Sequence, residues 1–317
     1  MENNPLVSVA IPAYKGDFLG EAIESVLNQT YGNIELLIIN DCSPQDLDTI
    51  VQRYKTDSRL HYYKNEKNIG YNDPVANWNK CLSLAHGEYF ALLCDDDIYE
   101  STFIEEMLVL AEKYKKCNVF RARVKIIGTD SNIIDYYPSS PEWESCVDYI
   151  WHKVSAYRMQ TISEFMLRKD YIVENYNGYT PTPKAWCADE ISIFRFSELG
   201  GIASSSKVLV GFRKSGINIS THDNKYTKPK IESHNICTCW IQKILNKVNA
   251  TDDLKRLILK KREDLSKGLK TQQLSLATLK DFIYLYKHKK DSCYLIPSIC
   301  FIKAIEQRFI MAIKKKN

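Results

Sequence analysis

The 317-residue chain lacks long apolar runs, low-complexity segments and internal repeats. No stretch approaches the roughly 20 consecutive apolar residues of a membrane-spanning helix, so we do not expect an integral membrane protein. The N-terminus has no basic segment and no small-residue cleavage pattern, so we expect no secretory signal and a cytoplasmic location. Hydrophobic residues make up 44% and charged residues 26%, which excludes disorder as the main state.

The ten cysteines are scattered and show no zinc-binding pattern. Cys237 and Cys239 form a C-x-C pair, but no second Cys or Cys/His pair is found nearby at zinc spacing. We therefore predict buried structural thiols here rather than a metal site. Without a secretory signal, the thiols are expected to stay reduced, as in a cytosol.

The net charge of +4 is unevenly distributed along the chain. Residues 251–317 carry a net charge of +9, whereas residues 1–250 carry a net charge of −5. A nucleic-acid-binding protein would have its basic surface on the folded body, so this acidic body argues against a nucleic-acid partner. The basic C-terminal part is typical of a surface helical region.

Apolar strand-like runs alternate with helical patterns over the first 115 residues. This alternation predicts βαβ units and a mostly parallel sheet covered by helices. Ligands bind beyond the carboxyl ends of such strands, where polar clusters follow Ile11, Ile39 and Leu93. The predicted strands are 6–10, 34–39, 60–63 and 89–93, and the predicted helices are about 17–29, 45–56, 74–86 and 101–115.

Three adjacent carboxylates, Asp95, Asp96 and Asp97, follow the fourth predicted strand. Such carboxylates repel one another unless a cation neutralises them, and hard oxygen ligands select Mg²⁺ or Mn²⁺, which commonly bridge to a diphosphate. A solvated acidic turn or a helix N-cap is the alternative reading of the triplet. Its position after an apolar strand favours a metal site.

Two further acidic positions are candidates for the site. Asp41 ends the second predicted strand and can accept hydrogen bonds from a nucleobase or ribose, although Asp is also common in turns. Asp189 and Glu190 open a helical pattern, where they either complement the helix dipole or supply a general base. The sequence does not show how close they lie to the triplet.

Several segments match one known pattern in order and spacing. They are 7–14 (VSVAIPAY), 22–31 (AIESVLNQTY), 35–43 (ELLIINDCS), 68–70 (NIG), 76–79 (ANWN), 85–90 (AHGEYF), the acidic triplet, Arg195 six residues after Asp189, and 213–220 (RKSGINIS). Together they resemble the family 2 glycosyltransferases, which are inverting enzymes with a Rossmann-like GT-A fold that use nucleotide-activated sugars. The resemblance covers residues 6–222, and it implies an α/β protein with a central sheet flanked by helices.

The resemblance implies a donor site at the carboxyl edge of the sheet. Asp41 would hydrogen-bond the base, a uracil, and Asp95 would approach the ribose or the sugar. The remaining residues that would contact the nucleotide-sugar are Pro12, Ala13, Tyr14, Asn68 and Gly70.

The resemblance also implies the chemical roles. Asp96, with Asp97 as second choice, would bind Mn²⁺ or Mg²⁺, and Asp189 would deprotonate the acceptor hydroxyl. Arg195 and Arg213 would support the site or the leaving diphosphate. The expected reaction is transfer of a sugar from a UDP-sugar to a glycan or lipid-linked saccharide in bacterial surface polysaccharide synthesis.

The chain departs from the family pattern at three positions. Asn40 stands where the family often has Asp, and Ala188 stands where it usually has Glu, which leaves the choice between Asp189 and Glu190 as base open. Ser215 replaces a family His, and His222 nearby either substitutes for it or is a surface histidine.

The predicted organisation is a catalytic domain at 1–225 and a helical C-terminal region at 226–317. Residues 1–115 would bind the nucleotide-sugar and 116–225 the acceptor. In the C-terminal region, aromatic and aliphatic residues are interleaved with lysines. That pattern suits either a helix at an anionic membrane surface, on the inner face, or packing against the protein or a second subunit.

Two other functions remain open. A sugar nucleotidyltransferase normally has a glycine-rich phosphate loop near the N-terminus, but residues 11–16 contain one glycine and no P-loop occurs anywhere. A non-catalytic nucleotide-sugar or glycan-binding module derived from a transferase is the second alternative. The intact triplet and Asp189 count against that module, while Ser215 and Ala188 count for it.

Overall fold

The structure, a computed structural model, describes residues 4–216 and 225–314. Within these parts of the chain, ten strands form one sheet. The strands are β1 (Val7–Ala13), β2 (Ile34–Asn40), β3 (Leu60–Lys64), β4 (Tyr89–Leu92), β5 (Ile98–Tyr99), β6 (Val119–Ile127), β7 (Ile133–Tyr136), β8 (Trp143–Glu144), β9 (Phe165–Arg168) and β10 (Ile202–Arg213).

The sheet is parallel in its N-terminal half and mixed beyond it. Its order is β3-β2-β1-β4-β9-β6-β10-β5, with β7 added on β6 and β8 on β10. β1 lies parallel between β2 and β4, and β2 is parallel to β3. β9 joins the two halves because it pairs antiparallel with both β4 and β6. The predicted central sheet is confirmed, and its parallel part is the strand–helix alternation that the sequence indicates.

Helices cover both faces of the sheet and make up the C-terminal region. They are α1 (Leu19–Leu27), α2 (Leu47–Gln52), α3 (Pro74–Leu84), α4 (Phe103–Lys113), α5 (Cys146–Val154), α6 (Lys169–Tyr176), α7 (Ala188–Phe196), α8 (Thr227–Lys247), α9 (Asp252–Leu276), α10 (Leu279–Lys287) and α11 (Ser298–Lys314).

The helix starts follow from local chemistry. The Asp46 carboxylate accepts a hydrogen bond from the backbone N–H of Thr49 (3.1 Å) and so caps α2. Asp73 caps α3 in the same way, and Pro74 at the first helical position needs no hydrogen-bond partner for its nitrogen. Because β1, β2, β3 and β4 are parallel, the loops that follow them lie at one edge of the sheet.

The C-terminal helices share a hydrophobic core with the sheet domain. Cys237 and Ile241 of α8 and Ile258 of α9 are fully buried in the cluster that also contains Ile191 and Phe194 of α7. α10 and α11 pack on α8 and α9 through a smaller separate cluster. Among the described residues, no helix is long and apolar enough to cross a membrane.

Candidate active site

A cavity of about 880 Å³ opens at the carboxyl ends of β1, β2 and β4 and reaches the C-terminal helices. This is the edge at which the sequence predicts a ligand site. The predicted site residues in its wall are Pro12, Tyr14, Asp41, Asn68, Gly70, Asp95, Asp96 and Asp189. Residues from three distant loops and α7 therefore meet in one cavity.

The first two carboxylates of the triplet face this cavity, and a lysine lies between them. Asp95 accepts hydrogen bonds from the backbone N–H groups of Tyr14 (2.8 Å) and Lys15 (2.7 Å). The Lys15 ammonium is 3.3 Å from Asp95 and 2.5 Å from Asp96. Burial opposes the charge on Lys15, but the two carboxylates outweigh it and raise its pKa. Ser215 also donates a hydrogen bond to Asp96 (2.9 Å).

The third carboxylate, Asp97, is fully buried and does not line the cavity. It accepts hydrogen bonds from the Ser163 hydroxyl (2.6 Å) and from the backbone N–H of Arg213 (2.9 Å). Burial, with Asp96 next to it, raises the pKa of Asp97 to about 7. Asp97 therefore stabilises the site from behind the cavity wall and does not face the cavity. Its carboxylate oxygens connect β10 to the loop after β4.

Asp41 organises the loop that forms the far end of the cavity. Its carboxylate accepts hydrogen bonds from the Asn65 amide (2.7 Å) and from the backbone N–H groups of Ile69 (2.8 Å) and Gly70 (2.7 Å). A Cβ atom at Gly70 would lie 2.8 Å from Asp41 Oδ2, so the close approach requires glycine. Asn68 closes the turn by accepting a hydrogen bond from the Tyr71 N–H (2.7 Å).

Asp189 lies in the first turn of α7 and in the cavity wall. The Gln160 amide donates a hydrogen bond to it (3.1 Å). Burial and the neighbouring Glu190 raise the pKa of Asp189 to about 6, which makes its carboxylate a stronger base than an exposed one. Glu190 instead forms an ion pair with Lys153 (2.8 Å), and that lysine lowers the pKa of Glu190 against the effect of burial.

Three other residues assigned from the resemblance do not line the cavity. Ala13 is buried, and its carbonyl accepts a hydrogen bond from the backbone N–H of Asp41 (2.9 Å). Arg195 packs on the rings of Tyr176 (5.1 Å) and Trp240 (4.7 Å), which turns it toward α8 and away from the cavity.

Arg213 is the third of these residues. It is fully buried, and its guanidinium donates to the Asp96 carbonyl (2.9 Å) and pairs with Glu21 (2.7 Å). Arg213 therefore stabilises the backbone of the loop that carries Asp95, Asp96 and Asp97. His222 lies outside the described residues.

Sequence reasoning missed several residues of the cavity wall. Lys15 contacts Asp96, which is 81 positions away in the chain, and Gln160 contacts Asp189, which is 29 positions away. No local sequence pattern therefore predicts their roles. The aromatic side chains of Tyr71 and Trp78 also line the cavity. The further residues contributed by the C-terminal helices are His234, Ile241, Arg262, Leu265 and Leu269.

Solved structures with the same fold include two proteins in complex with a nucleotide-sugar. S. aureus TarS 1–349 in complex with UDP-GlcNAc superposes with a TM-score of 0.71 at 16% identity, covering 93% of this chain and 82% of that chain. The mannosyltransferase PcManGT from Pyrobaculum calidifontis, in complex with GDP-Man and Mn²⁺, gives a TM-score of 0.56 at 12% identity over 96% of this chain and 87% of that chain. These similarities confirm the predicted GT-A fold.

The sequence comparisons define the family. Residues 8–164 match the profile of Glycosyl transferase family 2. An uncharacterized glycosyltransferase of Haemophilus influenzae is 28% identical over 259 residues, which are 77% of this chain and 77% of that protein. TuaG of Bacillus subtilis, a putative teichuronic acid biosynthesis glycosyltransferase, is 33% identical over 44% of this chain and 54% of its own length. The chain belongs to family 2 of the glycosyltransferases.

Proposed function

We propose that this glycosyltransferase moves a sugar, with inversion, from a UDP-sugar to a hydroxyl of a glycan or lipid-linked saccharide in bacterial surface polysaccharide synthesis. The observation that carries the proposal is the single cavity that joins the Asp41 loop, the carboxylates of Asp95 and Asp96, and Asp189. The fold shared with TarS bound to UDP-GlcNAc supports the donor class. The resemblance to TuaG, with its teichuronic acid assignment, supports the polymer class.

The Asp41 loop is the proposed site for the uracil base. Three donors already hold the Asp41 carboxylate, so its orientation is fixed before the nucleotide arrives. A carboxylate in this position can accept a hydrogen bond from the uracil N–H, and Tyr71 and Trp78 supply apolar surface for the ring. Binding therefore depends on the geometry of the loop as much as on its side chains.

Gly70→Ala is expected to weaken UDP binding by about 10- to 100-fold. The new methyl group would lie 2.8 Å from Asp41 Oδ2 and displace the carboxylate, and hydrogen bonds to a charged group contribute about 1.5–3 kcal/mol. Calorimetric titration of UDP measures the effect. Gly32→Ala is the matched control because a Cβ atom there would meet nothing within 4 Å. An unchanged UDP affinity in Gly70→Ala would exclude the loop from base binding.

Asp95 and Asp96 are the residues that would hold a Mn²⁺ or Mg²⁺ ion. Their carboxylates share the cavity wall, and both pair with the Lys15 ammonium, which supports a position of negative charge suited to a cation. Hard oxygen donors suit both metals. A bound ion would neutralise negative charge on the departing diphosphate. The mannosyltransferase bound to GDP-Man and Mn²⁺ supports this assignment.

Asp189 is the proposed general base. Its carboxylate lies in the cavity wall, where it can take the proton from the acceptor hydroxyl as the oxygen attacks the anomeric carbon from the side opposite the nucleotide. Gln160 fixes the orientation of this carboxylate. A single displacement of this kind breaks the bond to the diphosphate, forms the new glycosidic bond and inverts the anomeric centre.

A thermal-shift panel of nucleoside diphosphates and diphospho-sugars, each with and without Mn²⁺, tests the proposal. Ligands that bind the native state alone raise the melting temperature by mass action. A metal-dependent shift with UDP, together with sugar transfer or slow hydrolysis of the donor, would support the transferase. Metal-independent binding without turnover would instead favour a non-catalytic module.

We further propose that the enzyme works at the cytoplasmic face of an anionic membrane, to which α11 binds. One face of α11 is buried through Cys300, Phe301 and Ala304. The opposite face exposes apolar residues at helical spacing, and three lysines, Lys314 to Lys316, follow in the sequence. Exposed apolar side chains beside lysines are typical of interfacial helices. The exposed residues are Ile299, Ile302, Ile305, Phe309, Ile310 and Ile313.

The double variant Ile302→Glu/Phe309→Glu is expected to bind phosphatidylglycerol vesicles at least about tenfold more weakly than the wild type. Full burial of one such side chain contributes about 1.5–3 kcal/mol. Both residues are more than half exposed, so the fold should be unaffected. Vesicle co-sedimentation measures the binding, with Ile134→Glu, an exposed apolar position on β7, as control. Equal sedimentation of the double variant and the wild type would refute the membrane role.

A further inference from the structure

Three potential metal ligands meet at the wall of the active-site cavity, and a histidine contacts one of them. Cys187 and Glu190 lie at the start of α7, and His234 and Cys237 lie one turn apart on α8. The ligand atoms of Cys187, Glu190 and Cys237 all lie within 4.8 Å of one another. The Nδ1 atom of His234 is 3.5 Å from the sulfur of Cys187. The sequence analysis predicted no metal site at Cys237, because its partners come from a helix 47 residues earlier.

The geometry points to a zinc site built by Cys187, Glu190 and Cys237, with His234, which contacts Cys187, as the fourth ligand. Zinc in proteins is tetrahedral, with Zn–S bonds of about 2.3 Å and Zn–N bonds of about 2.0 Å, so ligand atoms on one ion lie roughly 3.5–3.8 Å apart. The Cys187–His234 distance of 3.5 Å agrees with that spacing. His234 and Cys237 are three residues apart on α8, which places both on the same side of that helix. Cys187 is the N-cap residue of α7, and Glu190 lies in the first turn of that helix.

The surroundings suit a structural ion. Cys237 is fully buried and His234 is 8% exposed, so bulk water has little access to these two ligands. Lys153 holds the Oε1 atom of Glu190, and the second carboxylate oxygen remains as a ligand. Arg262 lies against the cluster and donates to the backbone carbonyl of His234 (2.9 Å).

The charge balance permits binding. Each thiol releases a proton when it binds zinc as a thiolate. The two protons that leave carry the same charge as the Zn²⁺ ion that binds. The total charge of the cluster therefore stays the same. Lys153 and Arg262 face the cluster from α5 and α9 and offset the negative charge of Glu190 and the thiolates. Lys270, also on α9, is a further cation near His234.

A zinc ion at this position would join α7 to α8. Asp189 lies between the two α7 ligands, so the ion would hold the helical turn that carries it. The ligands belong to helices, whereas Asp95 and Asp96 follow β4. The two metal sites are therefore separable by mutation.

The test is the metal content and cobalt spectrum of the full-length protein. Purified from zinc-supplemented cells, the wild type is expected to contain one zinc per chain. After exchange with Co²⁺ it should show thiolate charge-transfer absorption and the intense visible bands of a tetrahedral site. Cys237→Ser should lose both signals. Cys239→Ser, which removes an exposed thiol two residues further along α8, should keep both, and so should Asp96→Asn.

A chelator should lower the melting temperature of the wild type and of Cys239→Ser. A wild type with no zinc and no cobalt–thiolate bands would overturn the site, whatever the stability of the variants. So would a Cys187–Cys237 disulfide, seen as a mass two hydrogens lower before reduction. Equal zinc in Cys237→Ser and Cys239→Ser would place the ion elsewhere. If Cys237→Ser does not fold, Glu190→Gln replaces it as the test variant, because it keeps both cysteines. We expect Glu190→Gln to bind zinc more weakly than the wild type.

Discussion

Asp189→Asn is expected to lose almost all sugar transfer while it keeps nucleotide binding. A positioned general base typically contributes about 10²–10⁴-fold to the rate, and an amide cannot take the proton. The asparagine has the same shape, and its oxygen can still accept the hydrogen bond from Gln160. The loss should therefore appear in kcat, with the UDP affinity and the melting temperature close to those of the wild type.

Transfer kinetics with a UDP-sugar, combined with titration of UDP, measure the two effects separately. Asp170→Asn is the control, because Asp170 also lies in the first turn of a helix, α6, but is exposed and far from the cavity wall. Wild-type turnover in Asp189→Asn would remove this residue from the mechanism. Loss of UDP binding together with turnover would indicate a structural role instead.

The structure favours Asp189 over Glu190 as base, a choice that the sequence leaves open. Glu190 is tied up in an ion pair with Lys153 (2.8 Å), which lowers its pKa against the effect of burial and so weakens it as a base. Asp189 receives a neutral hydrogen bond from Gln160, and burial raises its pKa to about 6. The electrostatics therefore support Asp189 as the proposed base.

Most of the parallel half of the sheet can be predicted from the sequence. Strands buried on both faces are continuous apolar runs, so β1, β2 and β4 stand out between amphipathic helices. The four-residue strand β9 does not, because it is short and is defined by pairing with β4, about 75 residues earlier. Its antiparallel insertion is set by tertiary contacts, which leave no local pattern.

The same distinction explains the site. The sequence locates Asp41, Asp96 and Asp189 because strand and helix ends are predictable. It does not show which way each carboxylate of the triplet turns, so Asp97 is indistinguishable from its neighbours before the Ser163 contact is known. The Cys187–His234 contact has one local signal, the three-residue spacing of His234 and Cys237, but its other half comes from α7.

Asp96→Asn is expected to abolish the Mn²⁺-dependent thermal shift with UDP and to lower sugar transfer by at least about 10²-fold. A metal ion on a transferring group supplies several kcal/mol of charge stabilisation, and each 1.4 kcal/mol is about tenfold in rate. The amide oxygen of asparagine can still accept the hydrogen bonds from Lys15 and Ser215, so the unliganded protein should melt near the wild-type temperature.

Asp97→Asn is the matched comparison, because it makes the same chemical change one residue away. Asp97 does not line the cavity, and its carboxylate serves Ser163 and the backbone of Arg213. Weakening these buried hydrogen bonds should cost about 1–3 kcal/mol of stability, seen as a lower melting temperature, while the metal-dependent shift with UDP persists. If instead Asp97→Asn loses the shift and Asp96→Asn retains it, the metal ligand is Asp97. Its side chain would then have to leave Ser163 when the donor binds.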